Sequence, residues 1–431
     1  MRRVLNMVSV ALLAVMLVAC DKEPIYNGDD AQTDIEIDMG NYITFQTEAN
    51  TRASLVESNY LTESFGVYGY LYDFGKSWTG QRTVAQPEVF WNGTNASRLP
   101  LKVTESGGYY TYNATNAEAE DAGQINWTGN KYAFFAYYPY EHSSMVRSSM
   151  TAAGAPYMIY TVDKSNAKNH IDLMTGGASE VTAASNHNTV TFSMAHRLSG
   201  VDVSICNAYV HSYTVSEVNY ESDVDIEISY LELDFENVKY DKAKIFLEKN
   251  KYVPMLNTVP ENISGTQTAN FVLIGPSSNS GLTTYSIAPS DNANTIVTVE
   301  TETSMTLIPQ EFDPNDATDK DVEVTATIIY RMKNKATGEY VIKPKVNDEG
   351  DFVDALGNVI PLDGEGNPTA ELYYEGYEDR PFSVTKVSNF NQALVEGSRY
   401  YVVLTFTSDA VSINIITAAA WNDKEIDYEF M

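Results

Sequence analysis

Cysteine is nearly absent. The 431 residues hold two, Cys20 and Cys206, too few for a disulfide framework and without the spacing of a metal site. Histidine is scarce as well. His142, His170, His187, His196 and His211 include no pair at metal-ligand spacing, and HExxH, CxxC, glycine-rich phosphate loops and the GxSxG elbow are all missing. Basic charge is short: 28 Lys and Arg stand against 58 Asp and Glu, a formal charge of −30. Such a surface repels nucleic acid and anionic lipid head groups, so no nucleic-acid partner is expected. Carboxylates are so numerous that no pair stands out as an acid/base couple. Neither catalysis nor a cofactor is expected. No apolar run reaches the roughly 20 residues of a spanning helix, and helical periodicity never persists.

What is present begins at the N-terminus. Arg2 and Arg3 precede an apolar run from Val8 to Ala19, broken only by Ser9. A basic start and a short apolar stretch form a secretory leader, residues 1–19. Leu17-Val18-Ala19-Cys20 is the order that lipoprotein signal peptidase reads. Only the cysteine sulfur can take a diacylglyceryl group, and the freed amine then takes a further chain. Lipidation at Cys20 and membrane anchoring by several acyl chains are therefore expected, since one chain alone holds only marginally. Loss of Arg2 and Arg3 with the leader takes the charge from −30 to −32. Residues 20–34 are rich in Asp, Asn, Gly and Pro and read as a flexible stalk. Within it, Asp21-Lys22-Glu23-Pro24 resembles the tags that send lipoproteins to the cell surface in some anaerobic Gram-negative bacteria.

The remaining chain reads as all-β. Short runs rich in β-branched residues, several with apolar/polar alternation, predict strands over Thr189–Met194, Ser199–Ile205, Asp225–Leu233, Ser286–Pro289, Thr295–Val299, Val322–Tyr330, Tyr400–Phe406 and Val411–Thr417. Thirty tyrosines suit pleated surfaces better than helices. Turn clusters separate the runs, among them Asn92-Gly93, Ser106-Gly107-Gly108, Thr175-Gly176-Gly177 and Leu356-Gly357-Asn358. This spacing predicts β-sandwiches. About 410 residues after the leader call for two of them, 35–210 and 211–431, joined near Asn207–Glu221. The segment Asn347–Asn367, rich in Gly, Asp and Glu, is predicted to be a long hairpin or loop.

Three features are weighed for chemistry. Cys206 ends an alternating strand through Val201, Val203 and Ile205 and is expected to be a small core residue. Asp313, Asn315, Asp316, Asp319 and Asp321 offer oxygen ligands for calcium but lack the EF-hand spacing, so a solvated turn is preferred. The aromatics Phe134, Phe135, Tyr137, Tyr138 and Tyr140, with Tyr109, Tyr110 and Tyr112, could stack on sugars if exposed. On strands they more often fill a core, and core is the reading taken.

Five segments in order resemble the fimbrillin family, the subunits of type V pili. Ile43-Thr44-Phe45 precedes Thr51-Arg52-Ala53. Lys131–Pro139 reads KYAFFAYYP. Asp172-Leu173-Met174 precedes Val190–Ile205, VTFSMAHRLSGVDVSI. Leu307–Gln310 reads LIPQ, and Gly397–Leu404 is followed by Ile413–Trp421. The resemblance implies two tandem transthyretin-like β-sandwiches and delivery to the outer membrane surface as a lipoprotein. It also implies cleavage between Arg52 and Ala53 by a trypsin-like protease, which removes the first strand. A terminal strand of another pilus subunit, Ile413–Ala418 or Ile426–Phe430, then fills the groove by β-strand addition. His196 is expected at a strand junction as a packing residue. The other reading is a monomeric surface lipoprotein that binds glycans through exposed tyrosines. A host or bacterial receptor is a further implied partner.

Overall fold

The structure is a computed structural model. It describes residues 44–48, 64–72, 74–78, 100–106, 109–112, 127, 131–149, 155–182, 189–215, 218–247, 258–260, 267–278, 282–289, 297–298, 305–347, 349–408 and 410–418. Residues 42–431 belong to one compact unit.

Strand follows strand throughout. The first part holds β1 (Thr44–Glu48), β2 (Phe65–Tyr72), β3 (Leu101–Ser106), β4 (Tyr109–Tyr112), β5 (Lys131–Tyr138), β6 (Met145–Arg147), β7 (Tyr157–Thr161) and β8 (Met174–Val181). Then come β9 (Thr189–Ser193), β10 (Ala195–His196), β11 (Ser199–Asn207), β12 (Val210–Val215), β13 (Val218–Val238), β14 (Lys242–Phe246), β15 (Thr258–Pro260) and β16 (Gln267–Ile274). The last are β17 (Tyr285–Ile287), β18 (Val297–Thr298), β19 (Met305–Leu307), β20 (Glu323–Asn334), β21 (Lys343–Pro344), β22 (Tyr374–Glu375), β23 (Phe382–Asn389), β24 (Arg399–Phe406) and β25 (Val411–Ala418). A single 3₁₀ turn, Ala167–Asn169, interrupts them among the described residues. The all-β class is as the residue pattern requires.

Two hydrophobic clusters organise these strands. The first joins the six-stranded sheet β10-β8-β5-β2-β3-β4 to the four-stranded sheet β15-β14-β7-β6. Strand β5 lies at its centre, with Tyr132, Phe134, Phe135 and Tyr137 buried beside Tyr68, Tyr70 and Trp78. The aromatic run Phe134–Tyr140 is thus core, as preferred above. Ring pairs such as Tyr132–Phe134, stacked at 5.8 Å, and Trp127–Tyr132, edge-on at 5.1 Å, add about 0.5–1.5 kcal/mol each beyond area burial.

The second cluster lies between the sheet β18-β11-β24-β25, to which β19 adds on β11, and the sheet β12-β13-β20-β23, to which β16 and β17 add on β13. Alternation drives it. In β20 the pattern EVTATIIYRMKN sends Val324, Ala326, Ile328, Tyr330 and Met332 inward. In β13, Val224, Ile226, Ile228, Leu231, Leu233 and Phe235 do the same, with a register shift between Ile228 and Tyr230 that keeps the apolar face inward. Tyr400 closes a corner, its hydroxyl donating to the Ala393 carbonyl at 2.9 Å and accepting from the Val395 N–H at 2.8 Å.

The clusters interleave along the chain. Strand β11 (199–207) pairs in parallel with β24 through eight residues and feeds the second cluster. Strand β14 (242–246) returns to the first, antiparallel to β7. Segment 305–308 serves both: Met305 and Leu307 belong to the second cluster and Ile308 to the first.

Two local readings are corrected. Thr175-Gly176-Gly177 is not a turn but the start of β8, paired with β5 at Tyr137, Ala136 and Phe135. The glycines are there for close approach: a Cβ on Gly176 would meet the Ser193 carbonyl oxygen at 2.8 Å. Segment Asn347–Asn367 is not one hairpin but three small ones in succession, described below.

Candidate functional site

The candidate site is the place where the first strand docks. Strand β1 runs parallel to β9, with Thr44 opposite Thr189, Phe45 opposite Val190 and Glu48 opposite Ser193. These two strands form a sheet of their own. Parallel pairing is slightly weaker per residue than antiparallel, and here it spans five positions. Cys20, Arg52 and Ala53 lie outside the described residues, as do the leader, the stalk and residues 34–43. In sequence Arg52 follows the end of β1 by four residues.

Strand β9 itself is firmly held. Its TVTFS pattern buries Val190 and Phe192 completely, and Phe192 meets Phe65 of β2 edge-on at 6.3 Å. Gly176 lets β8 pass close beneath its end. Strand β9 is therefore anchored in the first core through Val190 and Phe192 and paired along its backbone with β1.

The segment after β9 is a junction. His196 Nδ1 and Asp172 Oδ1 are 2.6 Å apart and buried. The Arg197 N–H donates to the Leu173 carbonyl at 2.9 Å, and the Arg197 guanidinium pairs with Glu396. Burial pulls the Arg197 pKa down and Glu396 opposes this. Gly397, at φ +71°, donates to the Leu198 carbonyl at 3.0 Å. His196 sits at a strand junction, as expected. Past it, Arg399 Nε meets Asp202 Oδ2 at 2.8 Å, both buried.

The LIPQ element also has a physical role. The Gln310 backbone exchanges two hydrogen bonds with Leu394, at 2.9 and 3.0 Å. Its side-chain oxygen accepts from Lys239 N–H at 2.9 Å and its amide donates to the Asn237 carbonyl at 3.3 Å. One glutamine thus ties its own segment to 237–239 and to Leu394. Thr306, just before it, was not singled out by sequence; nothing in its local pattern marks a buried hydroxyl that meets Tyr160 Oη at 3.2 Å. Burial pushes the Tyr160 pKa up to about 12.

The remaining candidates carry no site. Cys206 is buried in β11, and burial pushes its thiol pKa up. In the loop 313–321 the carboxylates serve the loop: Asp313 accepts from Asn315, Asp316 from Thr318, and Asp319 pairs with Lys239. No group of three or more ligating side chains is positioned for a metal among the described residues.

The described strands and the two hydrophobic clusters define an all-β protein built of several sheets. A family model described as fimbrillin-like matches residues 88–421, and the chain belongs to that family. The motif resemblance is borne out. Among solved structures it is similar to a fimbrial protein from Bacteroides vulgatus, at 16% identity and a TM-score of 0.49, over 88% of this chain and 99% of that one. It is also similar to candidate cell adhesion proteins from Bacteroides uniformis (14% identity, TM-score 0.39, 88% and 99% covered) and Bacteroides ovatus (14%, 0.41, 89% and 99%). No curated relative matches.

Proposed function

We propose that the chain is a structural and adhesive fimbrial subunit, exported as a lipoprotein with lipid on Cys20 and displayed at the outer membrane. It polymerises by strand exchange after cleavage between Arg52 and Ala53. The observation that carries this reading is β1, a five-residue strand held to β9 by parallel pairing and followed four residues later by Arg52. Severed there, β1 would dissociate and leave one edge of β9 without its backbone partners, a template for an incoming strand. While it is attached, β1 competes at very high effective concentration.

The donor we assign is Ile426–Phe430. Its sequence IDYEF alternates apolar and acidic residues, the period a strand needs to fill one face. The other C-terminal candidate, Ile413–Ala418, is committed to β24 by an eight-residue antiparallel register, with Ile413 and Ile415 packed on the second core. The proposed organisation keeps a stalk over 20–34 and two sandwich regions, 35–210 and 211–431, which exchange β11 for β14 and β15. For the monomeric glycan-binding alternative, Phe134–Tyr140 is core and Tyr112 packs against the same cluster, while the side chains of Tyr109 and Tyr110 lie outside the described ones.

The test uses protein lacking its lipid. Limited trypsin digestion is expected to cut after Arg52 and produce SDS-resistant ladders, and Arg52→Ala is expected to abolish them. Cleavage at Arg52 with a strictly monomeric product would reject polymerisation by this route.

A further inference from the structure

Residues 345–369 form a ladder built from one device used three times. Asn347–Asp351, Asp354–Asn358 and Asp363–Asn367 each begin with Asn or Asp and carry Gly at the fourth position. In each, the glycine N–H donates to the carbonyl of the first residue, at 3.0, 3.0 and 3.1 Å. The first side chain accepts the N–H of the fifth residue at 2.8, 2.9 and 2.8 Å. Gly350, Gly357 and Gly366 have φ of +90°, +84° and +86°, the left-handed geometry of a three-residue hairpin with a glycine bulge. Bridges Val346–Phe352, Val353–Val359 and Leu362–Pro368 join the rungs, and buried Val353 and Ile360 anchor them. The ladder is therefore pre-organised.

Its surface is unusual in two ways. Apolar side chains stand out from it: Leu356 is 86% exposed at a turn tip, and Val346, Val359 and Leu362 are about half exposed. The stretch from Val346 to Asp379 also has 10 acidic residues and no Lys, Arg or His. Glu375, Glu378 and Asp379 at its end pair with Lys345, Arg331 and Arg380, which leaves the seven acids between 348 and 371 as the excess. The Asp354 and Asp363 carboxyls are held below the ordinary range by hydrogen bonds from Asn358 and Asn367, which keeps them charged.

From these apolar tips set among carboxylates in excess over the flanking cations, we infer that the ladder docks a basic polypeptide surface carrying protruding apolar side chains. Exposed apolar groups with a polar rim mark interaction sites, and charge complementarity selects the partner. A second copy, itself at −30, is repelled here. Leu356 is the anchor and the surrounding carboxylates set the sign.

The test measures binding of the full chain to an immobilised peptide alternating Lys and Leu, with a Lys/Ser peptide as control. The triple variant Glu349→Gln, Glu365→Gln, Glu371→Gln is expected to lose about tenfold in affinity for the Lys/Leu peptide. A matched variant removing three acids elsewhere, Glu221→Gln, Glu236→Gln, Glu311→Gln, is expected to lose less than about twofold. Leu356→Ser, a change at a solvent-exposed turn, is expected to lose about fivefold or more toward Lys/Leu and nothing toward Lys/Ser. Equal losses in both triple variants, or no effect of Leu356→Ser, would overturn the proposal. So would wild-type self-association that Leu356→Ser abolishes, since the occupant would then be a second copy.

Discussion

The Thr306 backbone N–H donates to His170 Nδ1 at 2.8 Å, joining residues 136 apart in sequence. His170 Nε2 lies 2.8 Å from the Asp163 carbonyl, so the ring is neutral with its proton on Nε2, donated to that carbonyl. Phe271 packs edge-on against it at 5.2 Å. One imidazole thus links the 163–170 loop to β19 and β16.

A pH dependence follows. Burial lowers the His170 pKa from 6.5, with Asp163 opposing and His142 adding slightly. A depressed histidine contributes stability that is present above its unfolded value and lost as pH falls through 6.5 toward the folded value. Denaturant midpoints are expected to drop between about pH 7.5 and about pH 5.5. His170→Gln keeps a donor and an acceptor. It should cost about 1–3 kcal/mol at the higher pH and flatten the slope. An unchanged slope would assign the effect to another group.

Gly176→Ala is expected to destabilise by about 1–3 kcal/mol, the usual cost of overpacking. The added Cβ would meet the Ser193 oxygen at 2.8 Å, and backbone gives way poorly. Because Ser193 ends the strand that holds β1, protection of the 189–193 amides from hydrogen exchange should fall before global unfolding. Uniform loss of protection would mean that the strain is spread through the core.

The Arg399–Asp202 pair is buried on both sides. Arg399→Met removes the guanidinium beside the buried Asp202 carboxylate and should cost about 3–5 kcal/mol. The double variant Arg399→Met, Asp202→Leu should recover most of that, since two apolar residues need no compensation. If the double variant is no more stable than the single one, the pair owes its place to shape and not to charge.

Cys20→Ala is expected to leave the precursor uncut and to abolish incorporation of labelled palmitate, because no other side chain there offers the acceptor sulfur. A mutant that still matures and labels would end the lipoprotein reading.

Sequence legibility varied with how local the cause was. Thr189–Met194, Ser199–Ile205, Val322–Tyr330, Tyr400–Phe406 and Val411–Thr417 match β9, β11, β20, β24 and β25 to within a few residues, because alternation is written into neighbours. Asp225–Leu233 catches only the buried middle of β13; residues 218–223 are largely exposed and are ordered by pairing with β12. Gly176 looked like a turn because glycine serves both turns and close approach, and only the Ser193 oxygen above it tells them apart. The three-turn ladder showed as composition, while the repeat of its hydrogen bonds required coordinates.

What the sequence determined by itself is the all-β class, the face each strand buries, and a family resemblance carried by ordered motifs. What the tertiary structure decided is partnership: β1 beside β9, β11 beside β24, β14 beside β7, and His170 beneath Thr306. The physical reason is that a period of two specifies which side chains turn inward but leaves the edge of a strand free to pair with any other. Closing a longer loop costs only slightly more, about 0.6 kcal/mol per doubling. Strand β11 can therefore reach across nearly two hundred residues to β24, and only the joint packing of both cores selects that partner.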